Sequence, residues 1–292
     1  MIRSVAVIGV GAMGAPMAVN IHKAGFDLTV CDRNPAALAP FAKLGVACVE
    51  RAADCAGCDA VLVLVATPQQ ADAVVLGEEG LRAGLDGRTP MLVVMGTIAP
   101  ATMRELAQEL EPTGVGIVDA PVSGGPLKAQ AGTLAIMMGG AADDVERLRP
   151  LMRAMGPAIF HCGPLGTGQA TKIVNNLVGI TTLMVAAEAY RIASDNGIHL
   201  PDAIPVFEAG TGRNFFTAQA KDAPEAYSLW TTTRADFDSI QSIVRKDIDL
   251  ALAIGAGSGD LPFTKALRAL LDGVGDETFE TWRAVAAAPR QS

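Results

Sequence analysis

The sequence predicts an α/β fold in its first half, a doubly wound parallel sheet, followed by an all-α domain joined to it by one long helix. Three observations lead there. Short β-type apolar runs alternate with helical stretches from Ser4 to about His161, the pattern of a parallel sheet covered on both faces. A glycine-rich turn follows the first of those runs directly. Beyond Gly168 no strand-like run follows, and alanine-rich helical periodicity continues to the end. Domains are accordingly expected over residues 1–165 and 166–292.

Taken in order, the apolar runs place strands at Ser4–Ile8, Leu28–Asp32, Val46–Val49, Ala60–Val65, Met91–Met95 and Gly116–Asp119. Helical stretches lie between them near Met13–Ala24, Pro35–Leu44, Gln69–Val75 and Ala101–Glu111. Two later runs, Leu134–Met138 and Ala158–His161, flank a helix near Asp143–Met155 and extend the same sheet. From Thr167 to Asn196 one long helix is expected, ended by Asn196-Gly197. Its apolar stretch Leu177–Ala187 is too broad for a one-sided surface helix, so burial in the helical domain or against another subunit is expected.

Composition narrows the function classes. At 292 residues, 50% hydrophobic, with 31 glycines and only 4% aromatic residues, the chain is globular with a core of Ala, Val, Leu, Ile and Met. No purely apolar run approaches the roughly 18 residues of a membrane span. The first run, Ile2 to Ile8, is too short for a signal peptide and leads into the glycine turn; it reads as a strand, and the expected location is the cytoplasm. With 23 basic against 31 acidic side chains the net charge is -8, which argues against a nucleic-acid surface. Five cysteines do not form a disulfide framework, and the lone Cys55-x-x-Cys58 lacks the two further ligands of a zinc site. His22, His161 and His199 are scattered, so no metal is expected. Positive mean hydropathy, +0.32, and the apolar helix point to a homodimer or homotetramer.

Gly9-Val10-Gly11-Ala12-Met13-Gly14 sits between a strand and a helix, the context in which G-x-G-x-x-G binds a dinucleotide. Gly9 permits the tight turn, Gly11 lets the backbone approach a pyrophosphate, and Gly14 lets the helix pack close. The helix N-terminus supplies amide donors and a partial positive charge. Asp32 stands 18 residues beyond Gly14, where a carboxylate accepts hydrogen bonds from a ribose 2′-hydroxyl. A Rossmann-type domain is therefore expected. Asp32 repels a 2′-phosphate and the adjacent Arg33 can bind one, so NAD is expected as the preferred cofactor with some use of NADP.

Between Arg153 and Glu188 the only charged side chain is Lys172, with amides one helical turn on at Asn175 and Asn176. Three side chains at i, i+3 and i+4 share a helix face and can converge on one small polar ligand. A lysine whose stem packs while its ammonium reaches water would look the same. Asp119-Ala-Pro-Val-Ser123-Gly124-Gly125-Pro-Leu-Lys128 ends a strand and becomes a glycine-containing loop. Ser123 offers a hydroxyl, and the amides of Gly124 and Gly125 suit a carboxylate; a plain turn is the other reading.

Four segments in this order and spacing, GVGAMGAPMAVN (9–20), DAPVSGG (119–125) with GTLAIMMGG (132–140), GPLGTGQATKIVNN (163–176) and KDIDLA (246–251), make the chain resemble the β-hydroxyacid dehydrogenase family. That family includes 3-hydroxyisobutyrate dehydrogenase, tartronate semialdehyde reductase and L-threonate dehydrogenase. The resemblance implies NAD(P)-dependent interconversion of a small 3-hydroxy acid and its semialdehyde or keto form. It implies that Lys172 is the catalytic lysine, that Ser123, Gly124 and Gly125 hold the substrate carboxylate, and that Asn175 or Asn176 assists. Thr97 and Lys246 are implied near the nicotinamide half of the cofactor, although Arg245, Lys246 and Asp247 could equally form a solvated helix face.

The sequence also departs from the family. Leu64-Val65-Ala66-Thr67 replaces a common Met-Leu-Pro-Asn and is similar to the L-threonate branch; Gly96 stands where members usually have Ser; an aromatic residue before the Lys-Asp motif is replaced by Ile240 or shifted to Phe237. These changes bear on the substrate and leave the chemistry in place. Two other functions fit parts of the pattern. An imine reductase would share the fold, but by the same resemblance members of that type usually lack the lysine. A non-catalytic dinucleotide-sensing module would explain the glycine turn but not Ser123-Gly-Gly together with Lys172-x-x-Asn-Asn.

Overall fold

The computed structural model describes residues 2–214, 222–257 and 260–287. They form two compact units, Met1–Lys172 and Ile173–Ser292. In the first, strands β1 (Ser4–Ile8), β2 (Asp27–Cys31), β3 (Ala47–Val49), β4 (Ala60–Val63), β5 (Met91–Val94) and β6 (Gly116–Asp119) form a parallel sheet in the order β3-β2-β1-β4-β5-β6. The chain winds outward from β1 in one direction and then in the other, so the crevice between β1 and β4 is where an open α/β sheet binds ligands.

Period-two alternation explains why helices cover both faces. Along β1, Val5 and Val7 belong to one apolar cluster, and Ala6 and Ile8 to the other. Helices α1 (Gly14–Lys23) and α2 (Pro35–Ala42) pack on the first side through Met17, Ala18, Ile21, Leu38 and Phe41. Helices α3 (Pro68–Leu76) and α4 (Pro100–Leu110) pack on the second through Val75, Met103, Leu106 and Leu110. Each fully buried Val, Leu, Ile or Met contributes about 1.5–3 kcal/mol.

Beyond β6 the chain differs from the expected loop. Val122–Ser123 forms a short strand, β7, and Gly125–Ala131 a helix, α5. Both β6 and β7 pair antiparallel with β8 (Ala135–Gly139), which pairs in parallel with β9 (Ala158–Gly163) after helix α6 (Ala142–Arg153). A proline in the first turn of α5 and left-handed Gly132 at its end explain how so short a helix is bounded. All five cysteines are free; Cys55 lies against Cys31 and the Cys58 thiol faces Thr29 Oγ1 at 3.9 Å, so the C-x-x-C pair has two different neighbours.

Helix α7 (Thr167–Asp195) follows, and the remaining described elements are helices: α8 (Leu200–Ala209), α9 (Asp222–Thr231), α10 (Arg234–Ile254), α11 (Pro262–Asp272) and α12 (Asp276–Ala286). Gly197, at φ +73°, sits just past the end of α7. The second unit has one aliphatic cluster, around Ile180, Val244, Ile248 and Leu271, and, unlike the aliphatic core expected from composition, a second one built on aromatic rings. Trp282 lies edge-on to Tyr227 and Phe237 at 5.2 and 5.3 Å, and the Tyr227 hydroxyl donates to Leu183 O at 2.7 Å. The stretch Leu177–Ala187 is not buried all round: Ile180, Leu183, Ala186 and Ala187 are buried, whereas Val178 is 65% and Val185 59% exposed. By length and composition α7 is also apolar enough to cross a membrane, which uninterrupted apolar runs did not reveal because Thr and Gly residues break them; core helices of soluble proteins share this property.

Candidate active site

The glycine turn is built by close contacts. Gly9 has φ +92°, and a Cβ there would lie 2.9 Å from Leu64 O at the end of β4. A Cβ at Gly14 would stand 1.9 Å from Gly9 O, so α1 can begin only on a glycine. At Gly11 a Cβ would meet nothing within 4 Å. The helix start just beyond it, after Ala12 and Met13, has neither a side-chain cap nor an acidic residue in its first turn, which suits an anion. Asp32 follows β2 and ties the turn to it: Oδ2 accepts from Val10 N at 3.0 Å and Oδ1 from Asn34 N at 2.9 Å. Arg33 is exposed. A nicotinamide dinucleotide fits these groups: the amide donors of the glycine turn and α1 would hold the pyrophosphate, and the Asp32 carboxylate would accept from the ribose.

The departures from the family pattern have local causes. Thr67 Oγ1 caps α3 by accepting from Gln70 N at 3.2 Å, while Gln70 Oε1 accepts from Thr67 N at 3.3 Å, a capping box that the Ala-Thr-Pro-Gln-Gln sequence permits; Ala66 N also donates to Gln70 Oε1, at 2.9 Å. A Cβ at Gly96 would lie 2.3 Å from Val65 O, so the serine usual at that position has no room here. Thr97 stands next in the connection from β5 to α4.

Ser123 ends β7, paired with Ala135, and is half-buried. Gly124, at φ +137°, and Gly125, at φ +69°, form the turn that opens α5. The Lys128 stem covers Gly124 so closely that a Cβ there would lie 2.8 Å from it. Lys172 lies in the second turn of α7 and is 9% exposed, the one lysine among the described buried residues.

Sequence reasoning passed over the group that fixes the start of α7. Asp119, fully buried at the end of β6, accepts from Gly166 N at 2.6 Å and Gln169 N at 2.7 Å. Cβ atoms at Gly139 or Gly168 would come within 2.5 and 2.7 Å of its carboxylate, so both glycines make room for it. Burial pushes the Asp119 carboxyl above the usual carboxylate range, and the amide N–H bonds oppose that shift.

In the second unit the two asparagines separate. Asn176 Nδ2 donates to Asp247 Oδ2 at 2.6 Å, whereas Asn175 is exposed and its Nδ2 donates to Asn176 Oδ1 at 3.4 Å. Asp247 also pairs with the half-buried Lys246, at 3.1 Å. Only 2% exposed, Asp247 is not part of a solvated helix face, and it is a second residue that sequence reasoning passed over.

The profile of the NAD binding domain of 6-phosphogluconate dehydrogenase matches residues 4–163, and that of the NAD-binding domain of NADP-dependent 3-hydroxyisobutyrate dehydrogenase matches residues 166–286. The chain is 34% identical over 251 residues to 3-hydroxyisobutyrate dehydrogenase of Pseudomonas aeruginosa, covering 85% of this chain and 84% of that protein. It is 35% identical over 229 residues to the NAD-dependent L-serine dehydrogenase of the same organism, covering 78% and 74%. Among solved structures, Mycobacterium tuberculosis 3-hydroxyisobutyrate dehydrogenase with L-serine superposes with a TM-score of 0.76 at 27% identity, over 98% of this chain and all of that one.

Proposed function

The chain belongs to the β-hydroxyacid dehydrogenase family of NAD(P)-dependent oxidoreductases acting on CH–OH donors, and from that premise we propose that Lys172 moves the hydroxyl proton as a small 3-hydroxy acid and its semialdehyde or keto form are interconverted. The observation that carries this proposal is the burial of Lys172, a lone charged side chain in a long apolar stretch. Names of two relatives support the substrate class. 3-Hydroxyisobutyrate and L-serine both carry a primary alcohol on the carbon β to a carboxylate.

When bound, the nicotinamide cofactor supplies the hydride acceptor for oxidation and the donor for reduction. Gly9 to Gly14 and Asp32 would hold its pyrophosphate and ribose, with Thr97 toward the nicotinamide. Ser123 Oγ and the amides of Gly124 and Gly125 receive the substrate carboxylate. Lys172 Nζ hydrogen-bonds the 3-hydroxyl, takes its proton in oxidation and returns it in reduction. Asn176, held by Asp247 one helical turn beyond Lys172, supports the same assignment as the assisting amide. Preference for NAD over NADP rests on the Asp32 carboxylate beside the glycine turn. Self-association as a homodimer or homotetramer is supported by Val174, Val178, Val185 and Ile192, all exposed along one face of α7; light scattering that finds a monomer would exclude it.

The test is NADH formation across 3-hydroxyisobutyrate, L-serine, glycerate, L-threonate and 3-hydroxypropionate, each beside its methyl ester. At least one acid is expected to turn over, with its ester roughly 10- to 100-fold poorer because a charged acceptor is lost. Silence on every acid, with NADH still bound and cyclic imines reduced, would replace the proposal by imine reduction.

A further inference from the structure

Thr97 is gripped through both of its peptide groups by one buried side chain. Gln169, fully buried in the first turn of α7, donates from Nε2 to Gly96 O at 2.8 Å and accepts at Oε1 from Ile98 N at 3.1 Å. Those two backbone groups flank the Thr97 Cα on either side. A primary amide offers a donor and an acceptor side by side, and at this length Gln alone matches the pair. The amide orientation is set by its partners, since a carbonyl needs the donor and an N–H the acceptor.

Neither end of this clamp has slack. On the loop side, Gly96 abuts Val65 O so closely that a Cβ would lie 2.3 Å away, and Ile98 is fully buried. On the helix side, the Gln169 main-chain N–H is bonded to buried Asp119 at 2.7 Å. Lys172 stands three residues further along the same helix, about 4.5 Å on along its axis. The loop bearing Thr97 and the helix bearing Lys172 are thus locked in register through one amide.

We propose that Gln169 is a positioning residue, which sets Thr97, on the nicotinamide side, against Lys172, on the substrate side. It rests on the proton-transfer role of Lys172. Loss of the clamp should therefore slow turnover more than it weakens binding, because misplacement on the ångström scale lowers rate by as much as roughly 100-fold.

The experiment compares Gln169→Leu, Gln169→Glu and Lys172→Ala with the wild type for kcat, KM of the acid, NADH affinity and stoichiometry, thermal midpoint and pH–rate profile. Gln169→Leu is expected to lose roughly 10- to 100-fold in kcat per NADH-binding site, with KM and NADH affinity within about threefold. Gln169→Glu keeps the acceptor for Ile98 N but sets an ionised oxygen against Gly96 O, and protonation restores the donor. Its profile should gain an alkaline limb: where the wild type rises to a plateau with pH, this variant should rise and then fall. Should Gln169→Leu fail to fold, the profile of Gln169→Glu decides. Wild-type kcat per binding site with a wild-type profile in Gln169→Glu, while Lys172→Ala is inactive, would overturn the positioning role alone. Full turnover by Lys172→Ala would instead overturn the role of Lys172 and this one with it.

Discussion

A methyl group at Gly14 should separate the packing role of the glycine turn from its binding role. The Cβ of Gly14→Ala would lie 1.9 Å from Gly9 O, and contacts under 3.0 Å are essentially never seen, so the gap must open by about 1.1 Å. Gly9 has little room to yield: its N–H is bonded to Cys31 O at 2.8 Å, and Leu64 O stands only 2.9 Å from where a Cβ on it would lie. Helix α1 must therefore retreat. Over-packing of this kind costs about 1–3 kcal/mol, offset by up to about 1 kcal/mol of better helix propensity. A net loss near 1–2 kcal/mol lowers the thermal midpoint by about 2–3 °C at this chain size. The helix carries its amides back with it, and one lost hydrogen bond to a charged pyrophosphate, about 1.5–3 kcal/mol, raises the NADH dissociation constant roughly 10- to 100-fold. Gly11→Ala is the control, because its Cβ meets nothing within 4 Å. It should keep the thermal midpoint of the cofactor-free protein and still weaken NADH binding. Thermal denaturation followed by circular dichroism and NADH fluorescence titration read the two effects. Wild-type stability and affinity in Gly14→Ala, or equal destabilisation by both variants, would refute the division of roles.

Wild-type kcat/KM for NAD should exceed that for NADP by at least about tenfold, and Asp32→Ala should narrow the ratio by removing a carboxylate that repels a 2′-phosphate; a wild type that prefers NADP would overturn this. Asp59 accepts from the main-chain N–H groups of Arg3 at 2.7 Å and Ser4 at 3.0 Å, and these bonds hold its carboxyl below the usual range. Because its folded pKa is depressed, its contribution is present above the unfolded value and is lost as pH falls through the folded one. Asp59→Ala should cost about 1 kcal/mol at pH 7, after allowance for solvent screening, and less in acid; urea unfolding at pH 7 and pH 3 that gives equal differences would contradict it. Gly96→Ser restores the usual family residue but sets a Cβ 2.3 Å from Val65 O, so it should lower both thermal midpoint and kcat; an unchanged midpoint would mean that the loop is freer than its contacts indicate.

Most of the sheet was legible because buried parallel strands read as short apolar runs, and β1 and β6 match expectation to the residue. Strand β7 and helix α5 were hidden behind Ser-Gly-Gly-Pro, which signals a turn; the turn exists at Gly124 and Gly125, but regular structure resumes at once on either side. The cofactor turn was readable because its chemistry is local. Asp119 and Gln169 were not, since each acts across the fold, Asp119 on a helix start 50 residues later and Gln169 on a loop 73 residues earlier. The paired glycines Gly166 and Gly168 were the only local sign that something bulky approaches the start of α7. Asp247 was obscured by its charged neighbours Arg245, Lys246 and Asp249, although the helical period sets it beside buried Val244 and Ala251.

The central claim is that Lys172 carries the proton. Steady-state oxidation of the best 3-hydroxy acid by wild type and Lys172→Met, across pH 6 to 10 and beside NADH titrations of both, tests it most directly. The expected result is NADH affinity within about threefold, kcat lower by roughly 100- to 10,000-fold, and loss of the rising limb of the wild-type pH profile. Wild-type turnover by Lys172→Met with that limb intact would contradict the claim.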